Sequence, residues 1–193
     1  MTALILGLLL FLGLHSVRIV ADGWRSRTVA RIGAGPWKGA YTLLSLAGLA
    51  LIVWGFGQAR ATPVVLWASP VWTRHLAALL MGLSLVLLAA AYVPGNQIKA
   101  RLHHPMVLGV KVWAFAHLLA NNTLADLLLF GGFGAWAVLN FRAARQRDRA
   151  AGAVYAAGTA AATLVAVAVG VVAWAVLAFW AHGLLFGVRP FGR

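Results

Sequence analysis

The feature that most constrains the fold is a succession of about six long apolar runs, separated by short connections that are basic or contain Gly, Pro or Asn. A helix that crosses a bilayer needs about 20 predominantly apolar residues. The runs that reach or approach this length are Met1–Val20, Gly39–Phe56, Leu76–Val93, Met106–Ala120, Leu124–Phe141 and Val154–Trp180. Because lipid cannot satisfy unpaired backbone groups, each run is expected to be helical. The sequence therefore predicts an all-α integral membrane protein, a bundle of about six transmembrane helices forming a single domain over residues 1–193.

Two of the runs depart from the ideal length. The fourth is short unless its helix begins near His104, which Pro105 would permit because proline is favoured at the first helical position. The last run is long enough to tilt in the bilayer or to extend beyond it.

The distribution of charge predicts an orientation and argues against nucleic acid as a partner. The formal net charge is +13, yet the Lys and Arg residues stand in short connections rather than on one solvated face. Eleven of the 16 lie on one side of the predicted bundle, which by the positive-inside rule is the cytoplasmic side. Both termini are therefore predicted to be non-cytoplasmic. The basic residues assigned to the opposite side are Arg60, Arg74, Arg189 and Arg193.

The amino-acid composition excludes several kinds of metal and redox site. The chain has no cysteine, which excludes disulfides, thiolate ligands and covalent haem attachment through a CxxCH motif. It also has only three acidic residues, all aspartate, so a carboxylate-rich di-metal site within the bundle is excluded.

Ionisable side chains within apolar spans are the first functional candidates, because they are costly at membrane depth. His15 lies in the first span with Arg18 one turn further on, and His117 lies late in the fourth span, which also carries Lys111. Two histidines on different helices are typical of a b-type haem site, since neutral imidazole binds haem iron. From the residues alone, His15 and His117 are therefore candidate axial ligands of haem b, as well as candidate ligands of zinc or copper. Arg18 and Lys111 would then lie near the propionates or in a polar network.

Each of these residues also has a structural interpretation. His15 and His117 could simply form hydrogen bonds between helices, and Lys111 could extend its amine to the membrane surface. His104 could cap the fourth helix, although it is also a reserve ligand. His75 and His182 are better explained as residues at span ends.

The heights of the two histidines differ. With a rise of about 1.5 Å per residue, His15 and His117 are expected about 10 Å apart along the membrane normal. His104 matches the depth of His15 better. Tilt of a helix could close the gap.

Several ordered motifs resemble the NnrU family over roughly residues 4–140, and the segment after Gln146 carries little of the resemblance. The motifs are Leu14-His15-Ser16, Tyr41-x-x-x-Ser45-Leu46-x-Gly48-Leu49, His104-Pro105-Met106, Lys111-x-Trp113-Ala114-x-x-His117-Leu118-Leu119-x-Asn121 and Leu129-Phe130-Gly131. The resemblance implies a multi-pass protein of the bacterial inner membrane, linked to nitrite and nitric oxide reduction in denitrification. The additional C-terminal helix is expected at residues 154–180.

NnrU proteins are similar to the plant 15-cis-zeta-carotene isomerase, a membrane enzyme with haem b, and its ligating histidines fall on His15 and His117. The resemblance thus implies redox-linked cis–trans isomerisation of an apolar polyene. It also leaves open a non-enzymatic electron relay, sensor or assembly factor that serves a redox partner. Ala114 stands where the isomerase has a cysteine implicated in ligand exchange, so the same exchange cannot operate in this chain.

A second resemblance competes with the first. His104-Pro105-Met106 is similar to a motif of membrane methyltransferases that bind S-adenosylmethionine, such as isoprenylcysteine carboxyl methyltransferase. Those enzymes also carry paired glutamates near the next cytoplasmic turn, whereas this chain has none. A methyltransferase-like fold without that chemistry is therefore a further alternative, as is a purely structural bundle.

Overall fold

The structure is a computed structural model that describes residues 1–191, so Arg193, counted above in the charge distribution, lies outside the described residues. The described residues are mostly helical and form no β-strand, and isolated β-bridges occur in the connections between the helices. The helices are α1 (Thr2–Val20), α2 (Asp22–Ile32), α3 (Ala34–Ala61), α4 (Val71–Tyr92), α5 (Gln97–Leu102), α6 (Pro105–Ala120), α7 (Leu124–Ala150), α8 (Ala160–Val176) and α9 (His182–Phe186), the last two joined by a π-helical turn at Leu177–Ala181.

The predicted transmembrane bundle is confirmed. Helices α1, α3, α4 and α7 and the continuous stretch Ala160–Phe186 are each long and apolar enough to cross a membrane. Helix α6 is shorter, with 16 residues and thus a length of about 24 Å. It begins at Pro105, because proline at this position loses no hydrogen bond and its fixed φ suits the first turn.

The predicted start of the last span was wrong. Helix α8 begins at Ala160 rather than at Val154, because the preceding residues are held outside the helix by the turn between α4 and α5. The backbone N–H of Thr159 donates to the Gly95 carbonyl at 2.8 Å. Gly158 lies so close to the Asn96 backbone that a Cβ would have no room. The Thr159 side chain then caps the helix by accepting from the Ala162 N–H.

The helices pack in a definite order. Helix α3 packs against α1, α1 against α7, α7 against α6, α6 against α4, and α4 against α8. Glycines permit the closest of these approaches: a Cβ on Gly7 of α1 would lie 2.6 Å from the Ile52 backbone nitrogen of α3. Small residues at such seams are typical of membrane helices, which gain their association energy from close packing rather than from the hydrophobic effect.

Helix α7 is central to the arrangement of the candidate residues, because it packs against both α1 and α6. The buried side chains at this junction belong to one apolar cluster that includes Leu8, Ala114, Leu129 and Phe130. We call the end of the bundle at which α1, α4 and α7 end, and α3, α6 and α8 begin, the basic end, since most of the Lys and Arg residues lie there.

Candidate functional site

His15 lies near the end of α1 within a group of aromatic side chains from three helices. Its ring stacks on Phe11 with centroids 4.1 Å apart, and it contacts Tyr41 of α3 at 5.2 Å. Trp136 of α7 approaches edge-on at 6.2 Å. These contacts fix the orientation of the imidazole between α1, α3 and α7.

The hydrogen bonding of His15 defines which of its nitrogens is available to a ligand. Nδ1 lies 2.7 Å from the Phe11 carbonyl oxygen, which can only accept, so Nδ1 carries the proton. Nε2 forms no hydrogen bond within residues 1–191 and, in the neutral ring, presents a lone pair. Nearby, the Trp136 indole N–H is buried and has no partner in the same part of the chain. The surroundings of His15 therefore contain an open acceptor and an open donor.

His117, on α6, repeats this arrangement. Its Nδ1 lies 2.9 Å from the Trp113 carbonyl oxygen, and its ring stacks on Phe130 of α7 with centroids 4.5 Å apart. Trp113 also contacts the ring at 5.2 Å. Because the carbonyl again requires a proton on Nδ1, Nε2 is the lone-pair nitrogen of the neutral ring.

A continuous path of rings joins the two histidines. Phe11, stacked on His15, contacts Phe133 at 5.7 Å, and Phe133 contacts Trp113, the neighbour of His117, at 5.5 Å. The structure thus places both predicted ligands against one group of aromatic side chains between α1, α6 and α7. We call this group, Phe11, Trp113, Phe130 and Phe133, the aromatic layer.

The difference in height expected from the sequence is also visible. On α7, Phe130 contacts His117 and Trp136 contacts His15, and these positions are six residues, or about 9 Å, apart. Two imidazoles on one metal ion need Nε2 atoms only about 4 Å apart, twice a metal–nitrogen bond. The donor atoms therefore fit haem ligation. Their separation along α7 exceeds what one iron spans, so binding to a single iron would require the two imidazoles to move towards each other.

His104 lies away from this layer, at the basic end, and its Nε2 is engaged. Nε2 lies 2.8 Å from Oδ2 of Asp148 at the end of α7, and the same oxygen accepts from the Tyr155 hydroxyl at 3.1 Å. His104 occupies the N-cap position of α6, but its side chain makes no capping hydrogen bond. Burial, followed by the hydrogen bond to Asp148, raises the pKa of Tyr155 above its ordinary value of 10.0.

His103 extends this polar cluster. Its Nδ1 accepts a hydrogen bond from Arg145, and its backbone has φ +66°. Such a positive φ is uncommon outside glycine and costs conformational energy, so the surrounding contacts must hold it. No local sequence pattern connects His103 or His104 with Asp148, although Asp148 is one of only three acidic residues and lies among arginines.

Arg18 and Lys111, the remaining candidates, are not brought together. Arg18 lies 3.8 Å from Asp22 and lines a cavity at the basic end. Lys111 is on the exposed face of α6. Within residues 1–191, no group of three or more His, Cys, Asp or Glu side chains gathers in a way that could hold a metal ion.

The chain matches a known protein family. The family model described as NnrU protein matches residues 3–190, nearly the whole chain, and thus includes the C-terminal segment in which the motif resemblance was faint. No curated protein and no solved structure matches the chain.

Proposed function

Because the chain belongs to the NnrU family, we propose that it is a multi-pass protein of the bacterial inner membrane that binds b-type haem through His15 and His117. The observation that carries this proposal is the matched state of the two imidazoles. Each directs its Nδ1–H to the carbonyl four residues earlier in its own helix and leaves Nε2 as the ligating nitrogen. A hydrogen bond from the other ring nitrogen is the usual support of a metal-ligating histidine.

The surroundings of the two rings suit an apolar macrocycle. Phe11, Trp113, Phe130 and Phe133 supply flat aromatic faces between α1, α6 and α7. Without cysteine the attachment would be non-covalent, which is the b-type arrangement. When bound, haem supplies an iron centre capable of one-electron transfer.

The side chains of this chain have separate roles in the proposal. The Phe11 and Trp113 carbonyls hold the two ring tautomers, and the stacked rings of Phe11 and Phe130 hold the ring planes. The apolar helices would exclude water from a bound haem, and this exclusion tunes the reduction potential of a redox centre.

Of the two activities that the family suggests, an electron relay or sensor for nitrite and nitric oxide reduction is better supported. If His15 and His117 both held the iron, the group would supply electron transfer rather than a site for a substrate. Ala114, buried opposite Gly134 of α7, offers no thiol for an exchange of ligands. Isomerisation of an apolar polyene is the second candidate, and for it only one of His15 and His117 would hold the iron.

A visible spectrum of the detergent-purified protein, oxidised and reduced, tests haem binding. We expect a b-type spectrum that is lost or strongly altered in His15→Ala and in His117→Ala. His75→Ala is the matched control, because His75 is an exposed histidine on α4, and it should retain the spectrum. Haem-free protein from haem-replete cells, or unchanged spectra in both ligand variants, would overturn the proposal.

Anaerobic incubation of the reduced protein with cis-polyenes separates the two activities. Conversion of the polyene, detected by chromatography, would favour the isomerase. Reversible oxidation and reduction of the bound haem without conversion would favour the relay or sensor.

A further inference from the structure

A cavity of about 380 Å³ opens at the basic end, between the ends of α1 and α7 and the start of α6. Its polar lining consists of Arg18, His104, Asn140, Arg147 and Asp148. The haem site proposed above relies on none of these side chains. The cavity is therefore a separate place at which the bundle could hold a ligand.

The charge of this cavity is positive. Its one carboxylate, Asp148, already accepts hydrogen bonds from His104 and Tyr155 and lies 3.9 Å from the Arg145 guanidinium. The guanidinium groups of Arg18 and Arg147 each add one positive charge to the cavity lining. Arg18 has Asp22 at 3.8 Å, but the two side chains are 60% and 41% exposed, and ion pairs in contact with solvent interact weakly.

The cavity also contains unused hydrogen-bond donors. Arg147 donates one N–H to the Arg18 carbonyl at 3.2 Å, which ties the end of α7 to the end of α1. A guanidinium has five N–H groups in a fixed fork, so further donors stay available. The Asn140 amide makes no hydrogen bond to any residue from 1 to 191. Arginine forks of this kind bind phosphate through paired, charge-assisted hydrogen bonds.

We propose that this cavity binds a phosphate group, carried by a membrane amphiphile or free in solution. The cavity is wide enough for a phosphate ester and lies where the apolar part of α1 gives way to the arginines that follow it. Basic pockets between membrane helices at the ends of the apolar segments are suited to lipid head groups. Phosphate recognition by Arg147, Arg18 and Asn140 would thus anchor a ligand at the end of the helices that carry the aromatic layer.

Calorimetric titration of the full chain, purified with its haem in a maltoside detergent, tests the proposal and its two sources. Inorganic phosphate is one probe and dihexanoyl phosphatidic acid is the other, with dihexanoylglycerol as the phosphate-free control. Binding of phosphatidic acid alone supports an amphiphile, and binding of inorganic phosphate supports a site for the phosphate itself. Binding of neither, or equal binding of dihexanoylglycerol, overturns the proposal.

Variants on one helix separate the cavity from general surface charge. Arg147→Gln is expected to weaken binding about tenfold or more, the equivalent of one charge-assisted hydrogen bond. Arg149→Gln, an exposed position two residues away that does not line the cavity, should leave binding unchanged. Equal weakening in both variants would overturn the proposal. If Arg147→Gln does not fold, Asn140→Leu provides the same comparison.

Failure of the phosphate proposal can be distinguished from failure of the haem proposal. Phosphate binding by protein that carries no haem would leave this inference intact. Binding to haem-free protein but not to haem-loaded protein would overturn it and would assign the cavity to the haem propionates.

Discussion

The ring of Phe130 on α7 stacks on the imidazole of His117 on α6, with centroids 4.5 Å apart and 23° between the planes. Phe130 is buried and also contacts Trp113 and Phe56, so one side chain joins three helices at the candidate site. The packing of α7 and the orientation of His117 therefore depend on the same ring.

Phe130→Ala should both destabilise the bundle and disturb the site. Removing a buried phenylalanine leaves a cavity, at a cost of about 3–5 kcal/mol. We expect a lower temperature of unfolding in detergent, measured by circular dichroism, and a changed haem spectrum. The matched control is Phe115→Ala on α6, whose side chain is 55% exposed and whose loss should change stability by no more than about 0.5 kcal/mol. Equal effects of the two substitutions would contradict this account.

The seam between α1 and α3 should be intolerant of any added side chain. A Cβ on Gly55 would collide with the backbone of Leu4, whereas a Cβ on Gly57, two residues further along α3, would meet nothing within 4 Å. Gly55→Ala should therefore destabilise the protein by about 1–3 kcal/mol. Gly57→Ala should be neutral or stabilising, since alanine favours a helix over glycine by up to about 1 kcal/mol. Thermal unfolding of both variants measures the difference, and a stable Gly55→Ala protein would show that the helices are further apart.

Much of the fold could be predicted from the sequence, because the lengths of apolar runs and the chemistry of Pro105 act locally. The height difference between His15 and His117 likewise followed from the rise of a helix. The start of α8 could not be predicted, because Thr159 and Gly158 are held by Gly95 and Asn96, which are distant in the chain.

The polar cluster at the basic end could not be predicted from the sequence either. His104 and Asp148 are 44 residues apart and meet only because α6 and α7 pack side by side. From sequence alone, a lone aspartate among arginines is ordinarily interpreted as a solvent-exposed charge in a basic connection. The tertiary contact, rather than any local pattern, gives it a role.

Tyr155 should ionise only at unusually high pH. Burial, and then the hydrogen bond to the Asp148 carboxylate, raises its pKa above 10.0 because both disfavour the phenolate. A folded-state pKa above the unfolded value contributes stability that is fully present below pH 10 and is lost as the pH rises through the folded pKa. Tyr155→Phe should remove this part of the alkaline destabilisation.

Ultraviolet titration of tyrosinate measures the effect directly. The difference between the native protein and Tyr155→Phe should show a group that titrates above pH 10, and Asp148→Asn should bring that titration closer to the ordinary value. Tyr92→Phe, at an exposed position of α4, serves as the control for losing one tyrosine. A titration of Tyr155 that does not respond to Asp148→Asn would contradict the hydrogen bond.

The orientation predicted from the basic connections can be tested without background labelling, because the chain has no cysteine. Val154 follows α7 at the basic end and Val64 lies in the connection between α3 and α4 at the opposite end, and both are exposed. With the basic end in the cytoplasm, a membrane-impermeant maleimide should label Val64→Cys in cells whose inner membrane is intact. Val154→Cys should be labelled only after that membrane is broken. The reverse pattern would contradict the predicted orientation and would place the basic end, with the cavity lined by Arg147, on the outer side of the membrane.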